Sequence, residues 1–379
     1  MKLTLGQQLA QFNHLLQGDL FPVLEQSLGE LGATAKRLVA LLELISLGRF
    51  LPPSRGWVGR PAKDRQTMAR AFVAKAVFGF STTRQLLHAL HQDAQLRKIC
   101  GWQHSRQIPH ESTFSRAFAE FAAMQLPQSV HHELILETQR PRLIGHITRD
   151  STAIEARERF PKLPPPPAAV PKFKPWGRKR PKRGQRGLPK TRLEQQRTLS
   201  LEAMLADLPR HCSLGVKTSS DGNQKYWRGY KLHLDVADGQ IPISAILTAA
   251  CLHDSQVAIP LATMTSQRVT NLYDLMDTAY HAGEIFDHSR SLGHVPIIKP
   301  PKRQGKKIAF RDEREPAPTL TWAEEERFKE RTTVERVYAR LKDEFGGREI
   351  RVRGHGKIMA HLMFGVLALT ADQILKLAP

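Results

Sequence analysis

Phe328, Arg331, Glu335 and Lys342 follow one another at steps of three, four and seven residues in the stretch EERFKERTTVERVYARLKDEF. The stretch lacks Gly and Pro, is rich in Glu, Lys, Arg and Leu, and is closed by Gly346-Gly347, so Phe328 to Lys342 is predicted to be helical. At about 100° per residue the four side chains fall within roughly 60° of one another. One stripe then carries an aromatic ring, two cations and a carboxylate. A carboxylate flanked by cations can ligate a divalent metal while its neighbours hold phosphate oxygens. A solvated helix laced with i,i+4 ion pairs would carry the same residues, and Asp343 and Glu344 show that acids are common here. The metal reading therefore needs matching acids elsewhere in the chain.

Two aspartates are candidates. RLIGHITRD has the β-branched texture of a strand and ends in Asp150-Ser151-Thr152, where Asp150 could be a metal ligand or a cap for the following turn. NLYDLMD reads as a short strand with Asp277 at its end and a helix beginning near Ala282. Asp274, on the same strand, is read as an edge or solvent-facing acid. Between the two strands, Tyr230, Leu232, Leu234 and Val236 alternate with Lys231, His233 and Asp235, and Asp238-Gly239 turns the chain into IPISAILTA, the pattern of a hairpin. Asp254 or Ser255 is most simply the N-cap of the helix that follows. HVPIIKP supplies one more strand and leads into the basic run PPKRQGKK.

Strand, hairpin, helix, strand, helix, strand and a late helix carrying Glu335 is the order of an α/β, ribonuclease-H-like mixed sheet with flanking helices. In that order the first and fourth strands lie adjacent, which brings Asp150, Asp277 and Glu335 to one edge of the sheet. Three close carboxylates repel unless divalent cations sit among them.

The remaining organisation follows from composition. A chain of 379 residues is long for one domain. Residues 1–140 read as an all-α N-terminal domain, with helical periodicity in LVALLELISLGRF, ARAFVAKAVFGF and STTRQLLHALHQ; Arg84, Arg97, Lys98 and Arg116 make it compatible with DNA binding, as with any basic helical bundle. Residues 141–379 read as the catalytic domain, interrupted at about 156–210 by a basic, Pro-rich insertion. Its cations, Arg180, Lys182 and Arg183 among them, stand amid prolines that forbid regular structure, so it is expected to order on nucleic acid. The formal net charge of +21 points to a polyanionic partner, nucleic acid first and an anionic membrane surface second. Cys100, Cys212 and Cys251 lie far apart without CxxC or His pairing, which fits a cytosolic, reducing compartment and argues against a zinc module or disulfide framework. The first residues have no signal-like apolar core, and MAHLMFGVLALTADQIL, holding His361 and Asp372, is expected to be a buried helix and not a membrane anchor.

The Phe328-x2-Arg331-x3-Glu335-x6-Lys342 spacing resembles the Tyr-x2-Arg-x3-Glu-x6-Lys signature of the DDE transposases of bacterial insertion sequences, with Phe in place of Tyr. Asp277-Thr-Ala-Tyr280 and Asp150 in TRDST look like that family's second and first Asp regions, and WRGYKLHLDVADG, LHDSQVAIPLA and RVRGHGKIMAHLMFGVLALTADQ look like further family stretches. The resemblance runs from about residue 60 onward. It implies a transposase that cleaves DNA strands at transposon ends and transfers the 3′-hydroxyls to target DNA. Asp150, Asp277 and Glu335 would be its catalytic acids, holding two Mg²⁺ ions for which Mn²⁺ can substitute. Arg331 and Lys342 would grip phosphates, with Phe328, Tyr280, Arg351, Arg353, Lys231 and Trp227 as further DNA contacts. Double-stranded DNA, comprising terminal repeats and target, and a second copy of the chain would be its partners. A ribonuclease-H-like nuclease without strand transfer, or a non-catalytic DNA-binding regulator, is the rival reading of the same residues.

Overall fold

The computed structural model describes residues 4–51, 63–160, 190–218, 222–300 and 320–377. Its first part is helical: α1 (Leu5–Leu15), α2 (Phe21–Leu28), α3 (Ala33–Ile45) and α4 (Arg65–Val77) are followed by α5 (Thr83–Gln92) and α6 (Ala94–Cys100), then α7 (Glu111–Ala123) and α8 (Leu126–Thr138). The boundaries follow local chemistry. Thr82 closes a capping box with Gln85 at the start of α5, Asp93 caps α6 through the N–H groups of Gln95 and Leu96, and Gly101 stops α6 at φ 111°.

The sheet begins with β1 (Leu143–Glu155). Two short helices, α9 (Arg192–Gln196) and α10 (Leu201–Asp207), precede β2 (Ser213–Thr218), β3 (Gln224–Ala237) and β4 (Ile241–Ala249). Next come α11 (Ser255–Ser266), β5 (Thr270–Met276), α12 (Gly283–Ser291) and β6 (Val295–Ile298), and the chain closes with α13 (Trp322–Phe328), α14 (Thr332–Asp343) and α15 (His355–Lys376). The strand order is β2-β3-β1-β5-β6, with β4 also paired to β3. β1–β3 and β3–β4 are antiparallel, whereas β1–β5 and β5–β6 are parallel, so the sheet is mixed and the predicted neighbours do meet. β2, paired to the first half of β3, was not anticipated. It requires Gly215: a Cβ there would stand 2.3 Å from the Trp227 ring across the ladder.

Three expectations change. β1 does not end at Asp150 but runs on to Glu155, because Ser151 to Glu155 stay paired with His233 to Gly229 of β3. The predicted helix from Phe328 to Lys342 is broken: α13 ends at Phe328, a 3-10 turn spans Lys329–Arg331, and α14 starts at Thr332. That tight turn rests on the sheet, where the Thr148 hydroxyl donates to the Glu330 carbonyl at 3.5 Å. Asp274 is neither at an edge nor solvent-facing; it is 1% exposed, accepts from Ser289 Oγ and from Asn271 Nδ2 at 3.1 Å, and meets His294.

α15 is apolar around its whole circumference and is buried accordingly. Of the described helices it alone is long and apolar enough to cross a membrane, yet 83% of its most apolar window is covered by protein. It packs on α3, α4, α7, α8, α14 and β4, so one hydrophobic core joins the helical layer to the sheet. Burial of each Leu or Phe side chain contributes roughly 1.5–3 kcal/mol. Gly365 permits this approach, since a Cβ there would lie 2.7 Å from the Phe345 carbonyl oxygen. Asp372 of α15 pins the packing by pairing with Arg37 of α3 and Arg340 of α14, each at 2.6 Å.

Candidate active site

Arg149 of β1 stands opposite Met276 of β5 in the parallel ladder. The next residues are Asp150 on β1 and Asp277 just past the end of β5, near enough that the Asp277 charge acts on Asp150. Asp150 is largely buried and its pKa is pushed up to about 6: burial dominates, the Asp277 and Asp254 charges add, and the Ser151 N–H and Arg331 oppose. Asp277 is also raised, by burial first and by Asp254, against the pull of the Ala279 N–H and Arg331. Its carboxylate accepts from Ala279 N at 2.9 Å, so it caps the turn that follows β5 as well as facing Asp150.

Asp254 is the neighbour that the sequence undervalued. It occupies the N-cap position of α11 without making a side-chain cap bond. Instead it receives Lys231 Nζ at 2.9 Å and borders Ser151, next to the aspartate pair. Burial would raise its pKa, but His233, Lys231 and Ser151 bring it below the usual range. His233, itself pushed down to about 4 by burial, is neutral above that pH, so the Lys231 ammonium is the lasting counter-charge.

The α14 segment lies across this edge. Arg331 bridges two acids, with Nη1 3.3 Å from Asp150 and Nη2 2.6 Å from Glu335. Glu335 is therefore joined to the pair through a guanidinium, with its side chain 54% exposed. Tyr338 fixes the helix to the sheet: its hydroxyl donates to the Asp150 carbonyl at 2.6 Å and accepts from Leu234 N at 3.1 Å. Lys342 donates to the Thr152 hydroxyl at 2.6 Å, two residues along β1 from Asp150. Phe328 is half-buried under Lys299, whose Nζ lies 5.8 Å from the ring centre.

Several expected DNA contacts are placed differently. Tyr280 is 1% exposed and packs against Ala258, Met276, Ile285 and Ile298; its hydroxyl has no hydrogen-bond partner among the described residues and lies within reach of the charges of Asp254, Asp150 and Asp277. Trp227 is 7% exposed, lies against Gly215 and donates to the Tyr230 carbonyl at 3.2 Å. Neither ring is available to a DNA strand in this arrangement. Lys231 is engaged with Asp254, whereas Arg351 and Arg353 are exposed, Arg351 being paired with Glu349 at 2.8 Å. Arg180, Lys182 and Arg183 lie outside the described residues.

A buried ion pair sets the register beneath the site. Arg149, 2% exposed, donates from Nε and Nη2 to Asp235 at 2.8 and 2.7 Å, and Thr265 Oγ1 also donates to Asp235 at 2.6 Å. Its signal in the sequence was the KLHLD alternation: Lys231, His233 and Asp235 share one strand face, and each finds a polar partner there.

Among the described residues, no three His, Cys, Asp or Glu side chains are grouped to hold a metal ion. The chemistry of Asp150, Asp277 and Glu335 nevertheless fits a divalent cation: all donors are hard oxygens, and the aspartates carry the raised pKa values that a nearby cation would reverse. Residues 194–371 match the family model described as "Transposase DDE domain", and residues 23–120 match that described as "Transposase domain (DUF772)". The first span takes in Asp254, Asp277 and Glu335 and leaves Asp150 outside, so the place of Asp150 rests on its geometry. Neither a search of curated proteins nor one of solved structures returned a match.

Proposed function

The chain belongs to the DDE transposases of insertion-sequence type, and we propose that it cleaves DNA at the ends of a mobile element and transfers the freed 3′-hydroxyls to target DNA. The observation that carries this reading is that Asp150 of β1 and Asp277, just past the end of the adjacent parallel β5, follow the last register pair of the two strands, with Arg331 and Lys342 of the later helical segment beside β1. The mixed order β4-β3-β1-β5-β6 supports a ribonuclease-H-like catalytic domain, and the cations of the helical layer, Arg84, Arg97, Lys98 and Arg116 among them, support DNA binding by residues 1–140.

Asp150, Asp277 and Glu335 would hold divalent cations, Mg²⁺ by preference and Mn²⁺ in its place. Two such ions supply, when bound, the charge that stabilises the attacking and leaving oxygens of an in-line displacement. The chain's own residues do the rest. Asp150, with a pKa of about 6, is ionised at neutral pH and available as a ligand. Arg331 neutralises Asp150 and holds Glu335 outward; a phosphate oxygen competes for the same guanidinium, and its arrival frees Glu335 to turn toward the aspartates. Lys342, on Thr152, lies where the next phosphate along the strand would be gripped. Two element ends must be joined together, so two copies of the chain act on DNA.

The test is Asp277→Ala in a Mg²⁺-dependent cleavage and joining assay. Cleavage should be lost while DNA binding persists, since a negative charge near phosphate has been removed. Unchanged cleavage would remove this active site, and a wild-type protein that nicks without ever joining ends would be a nuclease.

A further inference from the structure

Away from the acids, a cavity of about 570 Å³ opens between the helical layer and the segment that follows α14. Lys75 of α4, the first turn of α5, Arg157, Arg353 and Lys357 line it. Lys75 is 8% exposed; its carbonyl accepts from Phe80 N at 3.0 Å, but its ammonium has no hydrogen-bond or ion-pair partner among the described residues. Burial alone pulls its pKa down to about 8. The acids at the rim are already engaged: Glu111 with Arg84 at 3.0 Å and Glu349 with Arg351 at 2.8 Å. Arg157, Arg353 and Lys357 have no carboxylate partner among the described residues. The neighbouring imidazole of His361 accepts no second cationic role, since its Nε2 meets the Gly346 carbonyl at 3.0 Å and burial holds it neutral.

A buried ammonium without a counter-ion is costly unless an anion completes it. Its neighbours here are further cations, of which Arg353 and Lys357 form no ion pair among the described residues and Arg157 acts on Glu349 from a distance, and the N-terminal turn of a ten-residue helix, which favours negative charge although its capping box already engages the Gln85 N–H. We propose that this cavity is a phosphate pocket that clamps one phosphodiester of the DNA backbone at a distance from the cleaved bond. Position gives that distance a bound. Arg157 follows Asp150 by seven residues on nearly continuous strand, a span of at most about 25 Å. At ~3.4 Å per nucleotide this puts the Arg157 backbone within about seven nucleotides of the scissile phosphate. The location relative to the cut rests on the reading of Asp150 and Asp277 given above; the pocket itself does not.

The test measures binding of the full chain to a double-stranded oligonucleotide in EDTA over a range of salt concentrations. Lys75→Met and, separately, Lys357→Gln should each reduce the slope of log K against log salt by about 0.9, with several-fold weaker binding at low salt. Lys357 is exposed, so its variant decides the matter even where Lys75→Met alters folding. Unchanged slopes in both variants would overturn the assignment to the DNA backbone. Inorganic phosphate is the second probe: protection of wild-type protein against thermal unfolding by phosphate, with DNA slopes unchanged in the variants, would make this a free-anion site and overturn the backbone assignment. Methylphosphonate substitution of single phosphates should weaken wild-type binding at a position within the stated distance of the cut and leave Lys75→Met unaffected there; equal effects in both proteins would overturn the proposal. Because none of the binding arms requires cleavage, persistent cutting by Asp277→Ala would refute the catalytic reading alone.

Discussion

Replacement of Asp150 by Asn removes one charge from the aspartate pair with little change of shape. The folded carboxyl titrates at about 6 against an ordinary 3.8, because burial and the charges of Asp277 and Asp254 outweigh the help of Ser151 and Arg331. A difference of about two pK units corresponds to roughly 3 kcal/mol between the two protonation states. The sign follows from linkage: the folded protein binds the extra proton between pH 4 and 6, so this contribution to stability is present below about pH 4 and lost as pH rises through 6. Asp150→Asn should therefore match wild type near pH 4 and exceed it by up to about 3 kcal/mol at pH 7. With a urea dependence near the upper end of the usual ~1–3 kcal/mol/M, the midpoint should move up by about 1 M. Equilibrium urea unfolding in EDTA at a series of pH values measures this directly. Added Mg²⁺ should stabilise wild type more than the variant and narrow the gap, since a cation favours the charged form of a buried carboxylate. Midpoints that run parallel from pH 4 to 8, or a variant less stable than wild type at pH 7, would refute the argument that burial, with the neighbouring acids, disfavours the Asp150 charge in the fold.

Two further variants probe the scaffold. Asp235→Asn leaves Arg149 buried without its carboxylate and should cost about 3–5 kcal/mol in urea unfolding; a loss under 1 kcal/mol would mean the pair does not hold the β1–β3–β5 register. Tyr338→Phe removes the hydroxyl that joins α14 to the Asp150 carbonyl and to Leu234 N, and should cost about 1–3 kcal/mol; an unchanged midpoint would show that the helix is held by apolar packing alone.

Much of the sheet and of its flanking helices was legible because they depend on hydrophobic runs bounded by strong turn signals. Ile297 and Ile298 of β6, the Asp238-Gly239 turn and the all-apolar α15 each declare themselves locally. The juxtaposition of β1 and β5 was reached through strand order and family likeness, since no local pattern specifies a parallel neighbour more than a hundred residues away. What escaped was polar and long-range. The alternation of Lys231, His233 and Asp235 looks like a solvated strand face, and only the packing of α11 and the register with β1 show that it is enclosed. Tyr280 and Trp227 carried family-like positions, but an aromatic ring is as useful to a core as to a DNA strand, and burial against Met276 or Gly215 cannot be read from composition. The break at Lys329–Arg331 was equally hidden, because Lys, Glu and Arg are sound helix formers and the turn is tightened by the sheet beneath it.

The position of α15 among α3, α4, α7 and α8 has a consequence for biosynthesis. Its helix begins more than 200 residues after α8 ends, which at typical elongation rates of ~5–20 residues per second is a delay of tens of seconds. During that interval the early helices have made only their mutual contacts and still lack the apolar column they close around. The segment bearing Arg331 and Glu335 emerges just before that column. Closure of the helical layer thus waits for α15, whereas Asp150, Asp277, Arg331 and Glu335 have all been made before it.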